Sequence, residues 1–209
     1  SEKKKAEEIV KSLRIQTILQ KTDESHDVKP YIQETKTEWV YVDLPLEMKA
    51  IQTCLRLALD ERYTQMEKNG LQLTKNNKSL SALLRIRTYV LTQNRRSAKP
   101  LFTAIRITYA LNILEAHGVT SFLNFCERTQ KKKGVGVKEL FEVDPNFTRA
   151  IHLAKVAQSN GIEHSKILKL QEILATVKDK VLIFTSYRDS VKVINERLVG
   201  MGIKSEFLI

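Results

Sequence analysis

The residues best placed to do chemistry lie in the middle of the sequence and are mostly basic. Arg85, Tyr89 and Arg96 are spaced by four and seven residues, so one helix would carry all three on the same side. Two guanidiniums and a phenol on such a stripe could hold phosphates and stack on a base, although a solvated helix face is the alternative. Neighbouring basic residues favour a nucleic-acid interface, because a stripe beside a basic loop forms an electrostatic footprint. These neighbours are Arg95, Lys99, Lys131, Lys132 and Lys133.

The positive charge is concentrated around these residues. The 209 residues include 35 Lys and Arg against 24 Asp and Glu, a formal net charge of +11. Residues 44–133 hold 16 of the basic and 6 of the acidic residues, a net charge of +10, whereas the segments on either side are nearly balanced. A local surplus indicates an anionic partner, either nucleic acid or an acidic membrane.

Motifs for a self-contained catalytic site are missing from the sequence. A phosphate-binding loop needs G-x-x-x-x-G-K-S/T, and the nearest segment, Gly134–Lys138, lacks both the spacing and the hydroxyl residue. The segment Leu57–Glu61 resembles a magnesium-binding strand end but belongs to a helical pattern, and the four histidines share no metal-binding spacing. We therefore expect no catalytic residue, cofactor site or metal site here, and no ATP hydrolysis by this chain alone.

Composition limits the class of protein and its compartment. An apolar share of 42% supports a packed core, and the longest apolar runs are far shorter than the ~20 residues of a membrane span. Cys54 and Cys126 cannot build a disulfide framework and form no C-x-x-C pair. No apolar segment of a signal peptide follows the first residues. The sequence predicts a soluble protein of a reducing, intracellular compartment, with no membrane partner.

The elements that would position the basic residues are mostly helices. Met48, Ile51, Leu55, Leu59 and Met66 form one apolar helical stripe between Pro45 and Asn69. The helix at 101–117 is apolar nearly all round and should be the most buried, with Gly118 as its C-cap and an exposed loop at 131–136. The other helices are predicted at about 2–12, 79–96, 120–128, 146–159, 165–177 and around Val191–Leu198, with strands at about 14–19, 37–44 and 181–185.

Four stretches run in one order across almost the whole chain: Asp27–Tyr31 with Trp39–Pro45, Ala110–Gly118, Gly161–Leu174 and Val181–Arg188. In that order they resemble four parts of the Hef/Fanconi-type branch of superfamily 2 DNA helicases, archaeal Hef in particular. These parts are the link leaving the first RecA-like domain, the long helix of the inserted helical domain, the beginning of the second RecA-like domain, and its motif IV. Ser165 stands where the family usually has proline in His-Pro-Lys.

The resemblance implies a mainly α fold, in which a thumb-like helical insert bundle is flanked by partial α/β RecA-like helicase pieces. Residues 1–44 would be the tail of the first RecA-like domain and its link, 45–160 the basic insert, and 161–209 the truncated start of the second RecA-like domain. The family's Walker A, DEAH and arginine-finger motifs would lie outside the chain. ATP and Mg²⁺ would then belong to the full-length parent, whose remaining helicase domains would be partners, and the resemblance allows a downstream nuclease domain.

In this family the insert helps to grip branched DNA while the motor domains hydrolyse ATP and translocate. The resemblance therefore implies sequence-tolerant binding of forked or branched DNA, in repair and replication-fork processing, in the cytoplasm if the source is archaeal. Motif IV approaches the nucleic-acid backbone, which adds Thr185 and Arg188 to the DNA-binding residues, although Arg188 could instead only cap or pair locally.

Two other functions compete with DNA binding. A helical interaction module could dock an acidic protein through the basic middle, and the sequence leaves this open. Binding to anionic lipid would need bulky apolar residues exposed opposite the charges. The predicted helix at 101–117 is instead apolar all round, as a buried helix is, which disfavours the lipid surface.

Overall fold

Helices dominate this protein, whose computed structural model describes residues 8–18, 21–22, 25–31, 36–73, 78–177, 179–186 and 188–208. The chain divides into two compact units, Ser1–Tyr41 and Val42–Ile209. The long helices are α1 (Leu46–Lys68), α2 (Leu80–Gln93), α3 (Ala98–Gln130), α4 (Pro145–Ser159), α5 (Ser165–Thr176) and α6 (Arg188–Gly200). The prediction of a mainly α fold is confirmed. The predicted domain boundaries at 44 and 160 stay predictions.

The core of the second unit forms around α1, which packs along α3 and α4. Four residues of its predicted apolar stripe, Met48, Ile51, Leu55 and Met66, are fully buried, and Leu59 is partly buried against the core. Each buried side chain of this size contributes about 1.5–3 kcal/mol through removal of its apolar surface from water. The stripe therefore explains both the length of α1 and its central place.

The chain reverses direction within α3, at Gly118. This residue has φ 84° and ψ −173°, a conformation that a side chain would strain. The Arg106 guanidinium donates to the Val135 carbonyl oxygen at 2.6 Å, although the two residues are 29 positions apart. A straight helix would separate them by about 43 Å. The prediction that one helix ends at Gly118 and another follows is therefore confirmed, with no connecting loop between them.

A second apolar cluster holds α2 against the first half of α3. Leu83 and Val90 of α2 belong to one buried cluster with Leu101 and Ile105 of α3 and Tyr63 of α1. The predicted burial of residues 101–117 is confirmed, because nine of these 17 residues are buried, a larger share than in α1, α2 or α4. One side of α2 is thus fixed in the core, and its other side faces solvent.

The three predicted strands are wrong wherever the structure describes them. Residues 14–18, 37–44 and 181–185 contain no strand. Strand-forming residue types need a neighbouring strand for their backbone hydrogen bonds, and none lies beside these segments in the described part of the chain. Trp39 and Phe184 are accordingly 80% and 90% exposed. Residue 19 and the first residues of the predicted helix 2–12 lie outside the described residues, whereas 8–12 are helical.

The last two helices join the second unit near the reversal of α3. The His164 ring caps α5 through Nδ1, which accepts from the backbone N–H of Lys166 at 3.1 Å, and its Nε2 donates to the Glu115 carbonyl oxygen at 2.8 Å. The Ser190 hydroxyl of α6 lies 2.5 Å from Nδ1 of His117. Polar contacts thus attach α5 and α6 to α3 close to Gly118, where the chain reverses direction.

Candidate nucleic-acid interface

The outward side of α2 carries two of the three predicted stripe residues. Arg85 is exposed, and Tyr89 four residues later is 55% exposed, on the side away from Leu83 and Val90. Arg85 forms no ion pair within the described residues, and α2 contains no acidic residue. The structure therefore brings a free guanidinium and an accessible aromatic ring together on one helix.

Arg96 does not continue this stripe, so the prediction of one helix carrying all three residues is wrong. The helix predicted to reach Arg96 ends at Gln93, where Asn94 leaves helical geometry with φ −137° and ψ 59°. The Asn94 side-chain amide donates to the Asn69 carbonyl oxygen at 3.1 Å, and the Asn69 amide donates to the Arg96 carbonyl oxygen at 3.1 Å. These two bonds stabilise a short 3₁₀ corner, Arg95–Ser97, that is outside the register of α2.

The corner nevertheless adds basic side chains beside α2. Arg95 and Arg96 are both exposed, and Nε of Arg95 donates to the Leu91 carbonyl oxygen at 3.2 Å. Lys99, at the start of α3, is different because it forms an ion pair with Glu139. Lys99 is therefore less available to an external anion than the two arginines.

The lysine loop, Lys131–Gly136, lies against the first turns of α3. Gly136 has φ 74°, and a Cβ there would lie 2.5 Å from Cγ2 of Thr103, so only glycine permits this approach. Arg106 anchors the loop through the Val135 carbonyl oxygen. Lys131, Lys132 and Lys133 are exposed and form no ion pair among the described residues. Because α3 reverses at Gly118, the loop with the predicted lysines thus lies close to the beginning of α3, where Lys99 is.

Arg106 is a residue that the sequence analysis missed. It donates to the Phe102 carbonyl oxygen at 3.1 Å as well as to Val135, and burial lowers its pKa. Its role depends on the reversal at Gly118, which brings the residues after α3 back to its beginning. No sequence spacing near Arg106 could have indicated that contact.

Ion pairs reduce the positive charge that the middle segment presents to solvent. Arg62 is buried against Asp144, Arg56 lies 3.3 Å from Glu115, and Lys49 lies 3.7 Å from Asp43. Within residues 44–133, the exposed basic residues without an ion pair in the described chain form what we call the basic surface. Its members are Lys68, Arg85, Arg87, Arg95, Arg96, Lys131, Lys132 and Lys133. Lys68 and Arg87 were also missed by the sequence analysis.

Thr185 is separate from the basic surface. It lies half-buried at a pocket of about 610 Å³, which also contacts His117, His164 and Ser190. This pocket is near Gly118, inside α3, whereas the lysine loop lies against Thr103, about 22 Å away along the helix. Arg188 begins α6, but its side chain lies outside the described residues.

The described residues contain neither a metal-binding cluster nor a membrane-spanning helix. In the described part of the chain, no group of three or more His, Cys, Asp or Glu residues is arranged to hold a metal ion. Among those same residues, no helix is both long enough and apolar enough to cross a bilayer. Cys54 and Cys126 are buried free thiols, and burial raises the pKa of Cys126 to about 12.

Three known helicases are similar to this chain. The solved helicase domain of Hef from Pyrococcus furiosus matches 97% of this chain and 46% of its own, with 27% identity and a TM-score of 0.68. A Methanocaldococcus jannaschii protein named as an ATP-dependent RNA helicase is 25% identical over 210 residues, which cover 96% of this chain and 26% of that protein. The DEAD-box ATP-dependent RNA helicase FANCM of Arabidopsis thaliana is 24% identical over 212 residues, 93% of this chain and 16% of that protein. No family model matches the chain.

These similarities confirm the predicted resemblance to Hef/Fanconi-type superfamily 2 helicases. They support a helicase-related segment that spans about a quarter of the archaeal relative and a sixth of the plant relative.

Proposed function

From this similarity to Hef/Fanconi-type superfamily 2 helicases, we propose that the chain is the DNA-gripping part of an ATP-dependent helicase or translocase. Its substrate class is forked or branched DNA in repair and replication-fork processing, inside the cell. The grip is made by phosphate contacts and is therefore sequence-tolerant. The other helicase domains of the same protein act as its partners.

The basic surface is the single observation that carries this proposal. Seven of its eight side chains lie on α2, in the Arg95–Ser97 corner and on the lysine loop, and none of the eight is neutralised by an ion pair in the described residues. Exposed charges that lack internal partners contribute little to folding, but they attract phosphates strongly at moderate salt. Their concentration on one helix, one corner and one loop favours a polyanion.

The arrangement also suggests how each residue contributes. Arginine guanidiniums at 85 and 96 can donate two parallel hydrogen bonds to one phosphate, whereas the loop lysines act as compact point charges. The exposed Tyr89 ring can stack on an unpaired base near a branch point. Thr185 and Arg188 would contact the strand at a separate place, on the second RecA-like piece.

ATP and Mg²⁺ would be held by motor motifs of the full-length parent. This chain has no phosphate-binding loop sequence, and its described residues offer no carboxylate cluster suited to Mg²⁺. The role of this chain in the reaction is to hold the nucleic acid while other domains bind and hydrolyse the nucleotide.

Fluorescence anisotropy with labelled forked, linear duplex and single-stranded DNA tests the proposal, with RNA of the same sequences alongside. We expect binding to each DNA, tightest to the fork, with a log–log salt slope of ~0.9 per phosphate contacted on duplex. RNA bound more tightly than DNA would contradict the proposed substrate. No binding to any nucleic acid at 50 mM salt would remove the proposal altogether.

Docking of an acidic protein is the second candidate, because α2 also exposes apolar side chains. Leu84 and Leu91 are 40% and 43% exposed and are seven residues apart, with Arg87 between them. A partner helix with acidic and apolar residues could cover that side. Loss of this binding on Leu84→Ser with Leu91→Ser, with DNA affinity retained, would show that the two functions use different sides of α2.

A further inference from the structure

A small surface pocket lies beside the lysine loop, separate from α2. Its volume is about 210 Å³, large enough for a phosphate group. The charged side chains around it are Lys132, Lys133, Lys138 and Glu142, and Phe141 and Val137 contribute to its lining. The positive charge therefore exceeds the negative at this pocket.

The backbone of the loop supplies further hydrogen-bond donors. The N–H groups of Lys133, Gly134, Val135 and Gly136 have no acceptor among the described residues. Of these four residues, Lys133 and Gly134 line the pocket, whereas Gly136 packs against Thr103 of α3. Free backbone N–H groups that face a concave surface are anion-binding groups in proteins. Gly134 lines the pocket, and a Cβ at this position would lie 3.0 Å from Nη2 of Arg106, so glycine leaves room for that guanidinium.

Contacts within the protein hold this loop in place before any ligand binds. The Val137 N–H donates to the Gly134 carbonyl oxygen at 3.2 Å, and Arg106 donates to the Val135 carbonyl oxygen at 2.6 Å. The carbonyl oxygens of Gly134 and Val135 are thus occupied, while the N–H groups of Lys133 and Gly134 are left without partners among the described residues. That division of donors and acceptors suits an anion.

The acidic residues near the pocket differ in their effect. Glu139 is paired with Lys99 and lies on the side of α3. Glu142 lines the pocket, and its Oε2 is 3.9 Å from Nζ of Lys138, a long ion pair that leaves the lysine able to contact another anion. The carboxylate of Glu142 would repel a phosphate, so it should reduce the affinity of the pocket.

We propose that Lys132, Lys133, Lys138 and the free N–H groups of Lys133 and Gly134 form a binding site for one phosphate group. This inference rests on the proposed function, since the phosphate belongs to a nucleic-acid strand. The pocket would then be one defined point of contact between the protein and that strand. The phosphate could be an internal diester or the terminal monoester of a strand end, and the experiment distinguishes these two.

Titration with inorganic phosphate, followed by ³¹P NMR, tests the pocket without DNA. Lys132→Gln with Lys133→Gln removes two pocket charges, and Lys68→Gln with Lys131→Gln is the matched control outside it. We expect about tenfold weaker phosphate binding for the pocket variant and less than twofold for the control. Glu142→Gln should bind phosphate several-fold more tightly, because the opposing charge is removed while the fold is kept.

A twelve-nucleotide strand with and without a 5′-phosphate identifies the source of the phosphate. If the pocket variant weakens only the phosphorylated strand, the ligand is the terminal monoester. Equal weakening of both strands indicates an internal diester. Either result supports the pocket.

Equal losses for the pocket and control variants, or no gain with Glu142→Gln, would overturn the pocket. DNA binding by the unchanged protein would then still support the proposed function. If the protein bound inorganic phosphate in a pocket-dependent way but bound no DNA, the proposed function would fail while the phosphate site would stand.

Discussion

The guanidinium of Arg62 and the carboxylate of Asp144 form an ion pair inside the second unit, where their side chains are 4% and 0% exposed. The same carboxylate caps α4, since its Oδ1 accepts from the Phe147 N–H at 2.8 Å. The pair thus joins α1 to the beginning of α4 across 82 residues of sequence. It also removes one arginine from the positive charge available to a ligand.

Loss of this pair should be strongly destabilising. Asp144→Asn keeps an N-cap acceptor but removes the buried partner of the Arg62 guanidinium and leaves only the longer ion pair with Glu61, which costs about 3–5 kcal/mol. Urea unfolding measures the change. Glu61→Gln is the control, because its carboxylate is 3.7 Å from the same guanidinium but is 47% exposed, and the effect should stay below about 1 kcal/mol. Equal effects of the two variants would show that burial does not determine the strength of the pair.

The apolar pattern predicted most of the helical core. The stripe from Met48 to Met66 has one periodicity and one buried side, so local sequence was sufficient to identify α1 and its orientation. Gly118 marked the end of a helix in the same way. By contrast, the Arg62–Asp144 pair depends on how distant helices pack, and no local spacing encodes it.

The candidate site was predicted in part. Composition indicated the basic segment and the lysine loop, and Arg85 and Tyr89 lie on one helix as expected. The position of Arg96 could not be predicted, because side-chain hydrogen bonds from Asn69 and Asn94 determine where α2 ends. The predicted strands do not form for a related reason, since residues of strand-forming type become a strand only beside a second strand.

The conformation of Gly136 should make it intolerant of a side chain. Gly136→Ala combines a left-handed backbone with a Cβ that would lie 2.5 Å from Cγ2 of Thr103. Gly70→Ala is the matched control, because its φ is 85° but nothing lies within 4 Å of the new Cβ. We expect a loss in unfolding free energy of about 1 kcal/mol at Gly70 and about 2–4 kcal/mol at Gly136. A loss at Gly70 as large as at Gly136 would mean that the contact with Thr103 relaxes freely.

Acid should weaken the attachment of α5 through His164. Burial lowers the pKa of this ring below its ordinary value of 6.5, the bond to the Glu115 carbonyl oxygen raises it, and nearby Lys166 lowers it further. In the unfolded chain the ring takes up a proton near pH 6.5, whereas in the folded protein it resists until a lower pH. The unfolded state therefore binds more protons in this window, and the free energy of unfolding should fall as the pH drops below about 6.5.

Unfolding of His164→Asn at pH 7.5 and 5.5 checks this linkage. Asparagine can still accept from the Lys166 N–H as an N-cap but does not titrate, so the variant should lose part of the acid sensitivity. His152→Asn, at an exposed position of α4, is the control and should keep the slope of the unchanged protein. An unaltered slope in His164→Asn would assign the acid sensitivity to other groups.

Reversing two arginines of the basic surface should weaken DNA binding more than reversing two loop lysines. The two double variants compared are an arginine variant, Arg85→Glu with Arg96→Glu, and a lysine variant, Lys131→Glu with Lys132→Glu. Both change the net charge by the same amount. Helix α2 and the two corner bonds, from Asn94 to Asn69 and from Asn69 to Arg96, fix the backbone of the arginines. Each guanidinium can contact a phosphate bidentately. The lysine side chains must instead be ordered on binding, which opposes their contribution. We expect about ten- to hundredfold weaker binding for the arginine variant, and a smaller loss for the lysine variant.

A third variant separates local contacts from overall charge. Arg149→Glu with Lys155→Glu, at exposed positions of α4, makes the same change in charge outside the basic surface and should have the smallest effect. Anisotropy titrations of forked and linear duplexes at two salt concentrations give the affinity and the salt slope of each protein. The arginine variant should lose ~0.9 in slope for each phosphate contact removed on duplex, because fewer counterions are released.

If the lysine variant loses as much affinity as the arginine variant, the lysine loop makes the main DNA contact and α2 is a solvated face. If all three variants bind like the unchanged protein, the basic surface serves a protein partner.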